Sequence, residues 1–452
     1  MRDLVVTMIV LGSLPVILLR PYVGVLMWAW IGLMNPHKLA WGFAETFPFA
    51  EIVAITTLIA MSISKERKRI PWTREVALLT CFTVWVTLTT AFAKYRGAAF
   101  TDLEQFLKIQ LMTFVSLMLI TDRKKLDQLI AVIVFSLGFY GVKGGIFTIA
   151  TGGHFHVQGP PGTFIGGNNE LGLALIMTLP LMRYLHVRTT NRRIRAVLLA
   201  SMALTAIAIL GTQSRGALLG ISAMTLFLIW KSRNRLPLLL VIAIIAPAAL
   251  HVMPQAWYNR MATIRTYKHD QSAEGRIHAW KYALAQALKH PVMGEGFALN
   301  EGRRASHSIY FQTLGEQGFV GLALFLLLGL STWRAGSATL KRTSGRQDMR
   351  GLRDLAAMVQ VSLVGYAVSG AFLSLAYFDF YYYLIVLMVL CKVMAEQAAN
   401  TVPEDLPAAT VPAESNAWWV PAKSAVTRVD AGLRLDHRGF QPNDRGRSGR
   451  TQ

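Results

Sequence analysis

The sequence predicts an all-α, polytopic integral membrane protein of about 12 transmembrane helices, with one long outer loop that contains an amphipathic helix. Three observations carry that expectation. The 452-residue chain is 53% hydrophobic and only 16% charged, with a mean hydropathy of +0.39, which is too apolar for an ordinary soluble chain. Runs such as "ALLTCFTVWVTLTTAFA", "IAVIVFSLGFYGV" and "AVLLASMALTAIAIL" are long enough to cross a bilayer. Lys and Arg, finally, fall unevenly on alternate connections.

In chain order, spans are expected near 48–63, 75–93, 106–121, 125–150, 168–186, 195–212, 216–232, 236–252, 308–333, 354–375 and 379–395. Residues 1–35 hold two apolar pieces divided at Arg20-Pro21. They read as one kinked span or a hairpin, the single span being preferred because it makes 12 in all with both termini cytoplasmic. Either is an anchor rather than a removable signal, because no small-residue cleavage site follows. The connections 64–74, 122–127, 183–195, 231–235 and 334–353 carry 22 Lys or Arg, whereas the short alternate ones carry 4. That asymmetry puts the first set and both termini in the cytoplasm, so most of the net charge of +21 is a topology signal and not a nucleic-acid footprint. The expected organisation is therefore 1–252 transmembrane, 253–306 outer loop, 307–396 transmembrane, and 397–452 a basic cytoplasmic tail without apolar periodicity. Cys81 and Cys391 both lie in apolar runs, which argues against a disulfide framework or a cysteine metal cluster.

The outer loop holds eight Lys or Arg against four acidic residues. Solubility alone accounts for such a balance in a long loop, but arginines there also suit phosphate, since a guanidinium donates two parallel hydrogen bonds and keeps its charge. Arg265, Arg276, Arg303 and Arg304 are the loop candidates. Within it "SAEGRIHAWKYALAQALKHP" reads as an amphipathic helix, capped by Ser272, ended by Pro291, with Ile277, Trp280, Leu284 and Leu288 as its apolar stripe. It is expected to lie flat on the membrane with Trp280 at headgroup depth. "GEGF" after it reads as a flexible turn.

Further polar groups face the same side. Arg215 in "GTQSRG" opens a span, where an arginine also snorkels for purely structural reasons. In "GGNNELG", Asn168 and Asn169 suit a helix cap and Glu170 the first turn. Lys143 lies inside an apolar run, where ionisable groups are costly; it either serves the site or snorkels outward. In "HSIYFQTLGEQGFVG", a continuous helix would put Phe311, Leu314, Gly318 and Gly321 beneath His307. Gly315, Gly318 and Gly321 would form a smooth stripe for a neighbouring helix. Glu316 lies about half a turn from His307 and is not expected to orient it; Glu170 and Glu295 are the alternatives considered.

These residues resemble the bacterial O-antigen ligase and polymerase superfamily. The ligase-type motif of His, then Asn, Ser or Gln, nine residues, and Gly-x-x-Gly is matched by His307, Ser308, Gly318 and Gly321. "SRG" at Ser214 to Gly216 and "GRIHAWKYALAQALKHPVMGEGF" are also similar to the family, and the first 44 residues with "GFYGVKGGIFTIATGG" resemble a subgroup of O-glycosylation ligases associated with exosortase systems. The resemblance covers roughly residues 1–395. It implies an inner-membrane, GT-C-like glycosyltransferase that moves O-antigen from undecaprenyl diphosphate to lipid A–core on the periplasmic side, with His307 catalytic. Arg215, Arg265, Arg276, Arg303, Arg304 and Lys143 are then the diphosphate-binding candidates, with Ser308, Gly318, Gly321, Trp280, Asn169 and Glu170 in support. A diphosphate leaves readily, so cations and a base suffice, and no Asp-x-Asp motif marks a metal site in the outer segments. The expected reaction uses no metal and no cofactor. Alternatives are an O-antigen polymerase, a ligase for a protein hydroxyl and, in a different class, a transporter of an anionic or lipid-linked solute.

Overall fold

The computed structural model describes residues 1–65, 68–231, 236, 239, 240, 243, 247, 250, 251, 253–262, 271–297 and 306–400, the first three residues of 271–297 as backbone only. The described part is helical, without strands. Its elements are α1 (Arg2–Leu19), α2 (Tyr22–Met34), α3 (Phe49–Ile63), α4 (Arg74–Ala91), α5 (Arg96–Leu119), α6 (Arg123–Ala150), α7 (Asn168–Arg188), α8 (Arg192–Gly211) and α9 (Arg215–Lys231), then α10 (Gln255–Ala262), α11 (Gln271–Lys289), α12 (Ile309–Arg342), α13 (Arg350–Gly370) and α14 (Asp379–Asn400). Six of these, α1, α6, α7, α8, α12 and α14, are long and apolar enough to cross a membrane, and α2 and α3 are shorter apolar helices. Each expected span in the described part falls on a helix, although α5 starts at Arg96, well before 106, and α12 runs on to Arg342, well past 333. Most of the span at 236–252 and the tail from 401 onward lie outside the described residues.

Helix starts follow from local chemistry. Thr73, Asp122 and Asn191 each accept a first-turn amide with the side chain, at the heads of α4, α6 and α8. Arg20, pushed to an extended conformation by the proline after it, ends α1. The chain then turns back. Arg2 donates to the Leu39 carbonyl at 3.4 Å and the Asp3 carboxylate accepts from the Trp41 amide at 3.1 Å. Residues 1–35 thus form a hairpin of two helices, not the single kinked span preferred from the sequence, because a proline that denies α2 its first amide bond costs nothing at a helix start.

The centre is built by α13 and α14. Every residue from Asp379 to Cys391 is buried, as in a helix surrounded on all sides. The α13 helix packs on α7, α9, α12 and α14. Small residues bring α6 and α8 together: Gly141 faces Thr205, Gly145 meets the Leu204 backbone, and Thr148 faces Gly211. One buried charge inside the bundle is paired: Lys392 Nζ lies 3.1 Å from Glu75 Oε2, and Ser331 donates to Oε1 at 2.9 Å.

The motif helix departs from regularity. Gly318, at φ +68° and ψ −172°, interrupts α12. A break frees backbone groups that must find other partners. Glu295 N donates to Gly315 O at 3.0 Å, Gly296 N to Glu316 O at 2.8 Å, and Phe319 N to Pro291 O at 2.8 Å. The Trp85 indole donates to Gln317 O at 3.0 Å. Segment 291–297 is therefore a turn, as expected, but one locked into the break by these bonds rather than free, and it takes the place of a helix packed on a glycine stripe. Only Gly321 behaves as expected, with the Trp85 indole of α4 against it.

Candidate active site

His307 is not on α12 but two residues before it. Its backbone is left-handed, φ +48°, which is uncommon for a residue with a side chain. Its amide donates to Ser374 Oγ at 2.8 Å, in the turn between α13 and α14. Ser308 follows, almost fully buried, at the helix start. This turn is the hub of the site. Phe372, within it, lies 6.4 Å from Trp280 between ring centroids, and Trp280 stacks on Phe311 at 5.2 Å with an 11° interplanar angle.

The stacking fixes α11 in place. Its buried face carries Ala283 and Ala287, whereas Leu284 and Leu288 are 40% and 65% exposed. The helix packs on α12 along its alanines, so the expected stripe is only half right. Trp280 packs on Phe311, and its indole N–H is buried without an acceptor among the described residues. One turn earlier on α11, Arg276 stands close enough to act electrostatically on both His307 and the Glu170 carboxylate. Burial first, and the Arg276 charge second, hold the His307 imidazole below its usual pKa of 6.5. The ring is therefore neutral and able to accept a proton at neutral pH.

Arg215 enters from the other side. Gln213 takes a left-handed conformation, φ +52°. It is pinned there: its Nε2 donates to Gly153 O at 2.9 Å and its Oε1 pairs with His156 Nε2 at 2.9 Å. Ser214 then caps α9, accepting from Ala217 N at 3.1 Å, so Arg215 begins that helix. Gly216 lies under Phe372, where an added Cβ would sit 3.3 Å from it, and its carbonyl accepts from Ser369 Oγ. His307, Trp280 and the Gly216 that follows Arg215 thus meet at one turn, with Arg276 within electrostatic reach of His307. Asn168 donates to Thr212 O at 2.8 Å instead of capping α7. That role passes to Glu170, whose carboxylate folds back over Gly167, and Asn169 stays half-buried beside it.

Lys143 does not join this group. It is exposed on α6 in line with Phe139, Ile146 and Phe147, the helix face turned away from the bundle, which is the snorkelling placement. Arg265, Arg303 and Arg304 lie outside the described residues. Glu295, considered as a partner for His307, faces a different cavity, and Glu316 is buried with Tyr377 donating to it at 2.7 Å. Among the described residues the His307 ring makes no hydrogen bond.

Sequence reasoning did not single out three contributors. Arg260 on α10 donates from Nε to Gln213 O at 3.0 Å, beside Arg215. Phe372 and Ser374 form the hub itself, and nothing in "FLSLAYF" marks them beyond a position in a short outer connection.

Comparison with known families divides the chain in two. Residues 1–190 match a family of unknown function, DUF5935, and residues 200–326 match the family described as O-antigen ligase. No curated protein matches. The second match contains Arg215, Arg260, Arg276, Trp280, His307 and both motif glycines, and the chain therefore carries an O-antigen ligase family domain within an all-helical bundle.

Proposed function

We propose that the protein is a membrane-embedded glycosyltransferase that ligates O-antigen, carried on undecaprenyl diphosphate, to a sugar hydroxyl of lipid A–core. The reaction takes place on the periplasmic side of the bacterial inner membrane. The observation that carries this reading is the meeting of His307 and the Gly216 that follows Arg215 at the turn between α13 and α14, with Arg276 within electrostatic reach of His307. The acceptor oxygen attacks the anomeric carbon as the bond to the diphosphate breaks. The bonding pair leaves with the diphosphate, and the hydroxyl proton passes to His307. A neutral imidazole suits that task. Arg215 and Arg276, with Arg260 close by, supply positive charge where the leaving group gains negative charge. Arg265, Arg303 and Arg304 remain candidates on sequence grounds, and Lys143 does not. Glu170 holds the head of α7 and balances Arg276. The excess of Lys and Arg on alternate connections favours the periplasmic orientation.

The test is the lipopolysaccharide profile of a deletion strain with and without the chain restored. Ligation predicts loss of long chains with accumulation of polymerised lipid-linked glycan. Accumulation of single units would assign the chain to polymerisation instead.

A further inference from the structure

A cavity lies at the far end of α11. It has a volume of about 500 Å³, within the range of small-molecule sites, and is lined by Phe92, Lys94, Lys289, His290, Val292 and Glu295 among others. It is about 20 Å from Arg276, since thirteen residues of helix at 1.5 Å each separate Arg276 from Lys289. The cavity is therefore distinct from the site around His307.

Its chemistry is specific. Glu295 is only 8% exposed, and its Oε2 is buried without a hydrogen-bond partner among the described residues. A buried carboxylate oxygen in that condition costs free energy until a donor arrives. Its placement is rigid, because Glu295 N is bonded to Gly315 O in the helix break and Glu295 O accepts from Lys94 N at 3.4 Å. Gly294 and Gly296, both at positive φ, pack the 291–297 turn against Gly318 and Ala93 so closely that a side chain at either would collide. Phe92, 72% exposed, offers an open ring face. Lys94 and Lys289 add positive charge around the rim, beside His290. A fixed carboxylate accepts hydroxyl hydrogen bonds, an open phenyl ring covers the apolar C–H face of a pyranose, and ammonium groups hold a negative substituent.

We propose that this cavity is a carbohydrate subsite for an acidic sugar, one bearing phosphate or carboxylate, in the acceptor oligosaccharide several units from the hydroxyl that reacts at His307. Assignment to the acceptor rests on the glycosyl-transfer reading, because the donor diphosphate is placed at the opposite end of α11. Binding of an acidic sugar does not rest on it.

The experiment has two arms, both on the purified full-length protein. In the first, saturation-transfer NMR measures binding of glucose 6-phosphate, glucose and inorganic phosphate to wild type, to Glu295→Gln and to the double variant Lys94→Gln/Lys289→Gln. The expected result is transfer to glucose 6-phosphate in wild type, stronger than to glucose. It should weaken at least about fivefold in both variants, and inorganic phosphate should only partly displace the sugar. Equal signals in wild type and variants, or full displacement by phosphate at equal concentration, would overturn the subsite. In the second arm, ligation is measured with lipid A–core and with the same acceptor after phosphatase treatment. The double variant should raise KM for the untreated acceptor about tenfold with kcat unchanged, and should match wild type on the treated one. An unchanged KM alongside intact sugar binding would overturn the acceptor assignment alone. Absence of ligation by wild type would count against the glycosyl-transfer reading and leave the first arm standing.

Discussion

At the scale of single residues, the proposal stands on how His307 and its neighbouring cations divide the work. His307→Ala should insert and bind lipid-linked donor yet transfer almost nothing, and His307→Gln, which keeps hydrogen bonding but not basicity, should be nearly as inactive. Near-normal ligation by the Gln variant at matched expression would reduce the ring to a positioning role. For the arginines, Lys keeps charge but loses the planar fork, so Arg215→Lys and Arg276→Lys should retain partial activity where the Ala variants do not. A charge-assisted hydrogen bond contributes roughly 1.5–3 kcal/mol, so each Ala variant should slow turnover about tenfold to a hundredfold. The pH dependence follows from the same neighbours. Burial and Arg276 depress the His307 pKa below 6.5, so activity should be full above that lowered value and fall as pH drops through it. Arg276→Gln removes a positive charge, should raise the pKa towards its ordinary value, and should move the acid limb of kcat/KM to higher pH. A limb that stays in place would show that the guanidinium does not act on the ring.

At the scale of elements, helix positions were legible in the sequence because apolar runs and charged connections alternate along the chain, and neither signal depends on tertiary contacts. The shape of the motif was not. Periodicity arguments assume an unbroken helix, and on that assumption His307, Gly318 and Gly321 share a face. In the structure Gly318 leaves the helical region, so the glycine spacing encodes a break and its partner turn. A lone sequence cannot distinguish a glycine needed for close packing from one needed for positive φ. Substitution can. Gly318→Ala meets both an unfavourable φ and the Val292 carbonyl, and should destabilise by about 1–3 kcal/mol or more. Gly275→Ala, in α11 with nothing within 4 Å of the added methyl, should be neutral or stabilise by about 0.5–1 kcal/mol. Thermal unfolding in detergent measures both, and equal effects would remove the special role of the break. The hub at Phe372 and Ser374 was illegible for another reason: it is made by contacts between residues far apart in sequence.

At the scale of the molecule, the two matched segments share one bundle. Residues 200–326 end before α13 and α14, whose connecting turn completes the site, and α7 from the first segment packs on α13. The cationic residues near His307 therefore depend on helices outside the ligase-family segment. Orientation is the global claim that every other rests on. A reporter active only in the periplasm should work when fused after residue 270 and be silent after 345 or 430. Activity at 345 would reverse the sidedness of the site. The N-terminal hairpin changes the expected count and moves the N-terminus, expected in the cytoplasm, to the side of residues 39 and 41, while the sidedness expected of the later connections is unaffected.

The pairing of 291–296 with the break in α12 also makes chain length matter. Donors 295, 296 and 319 meet acceptors 315, 316 and 291 one to one, so a single inserted or deleted residue between Pro291 and Gly296 prevents all three pairs from forming in register together. The turn after α12 has no such matched backbone pairing, since the Ser344 and Arg346 amides bond to carbonyls three positions earlier, within the turn itself. One-residue insertions should therefore be tolerated at 344–346 and abolish folding at 292–295. Across homologous chains, gaps should collect at the first position and be absent from the second.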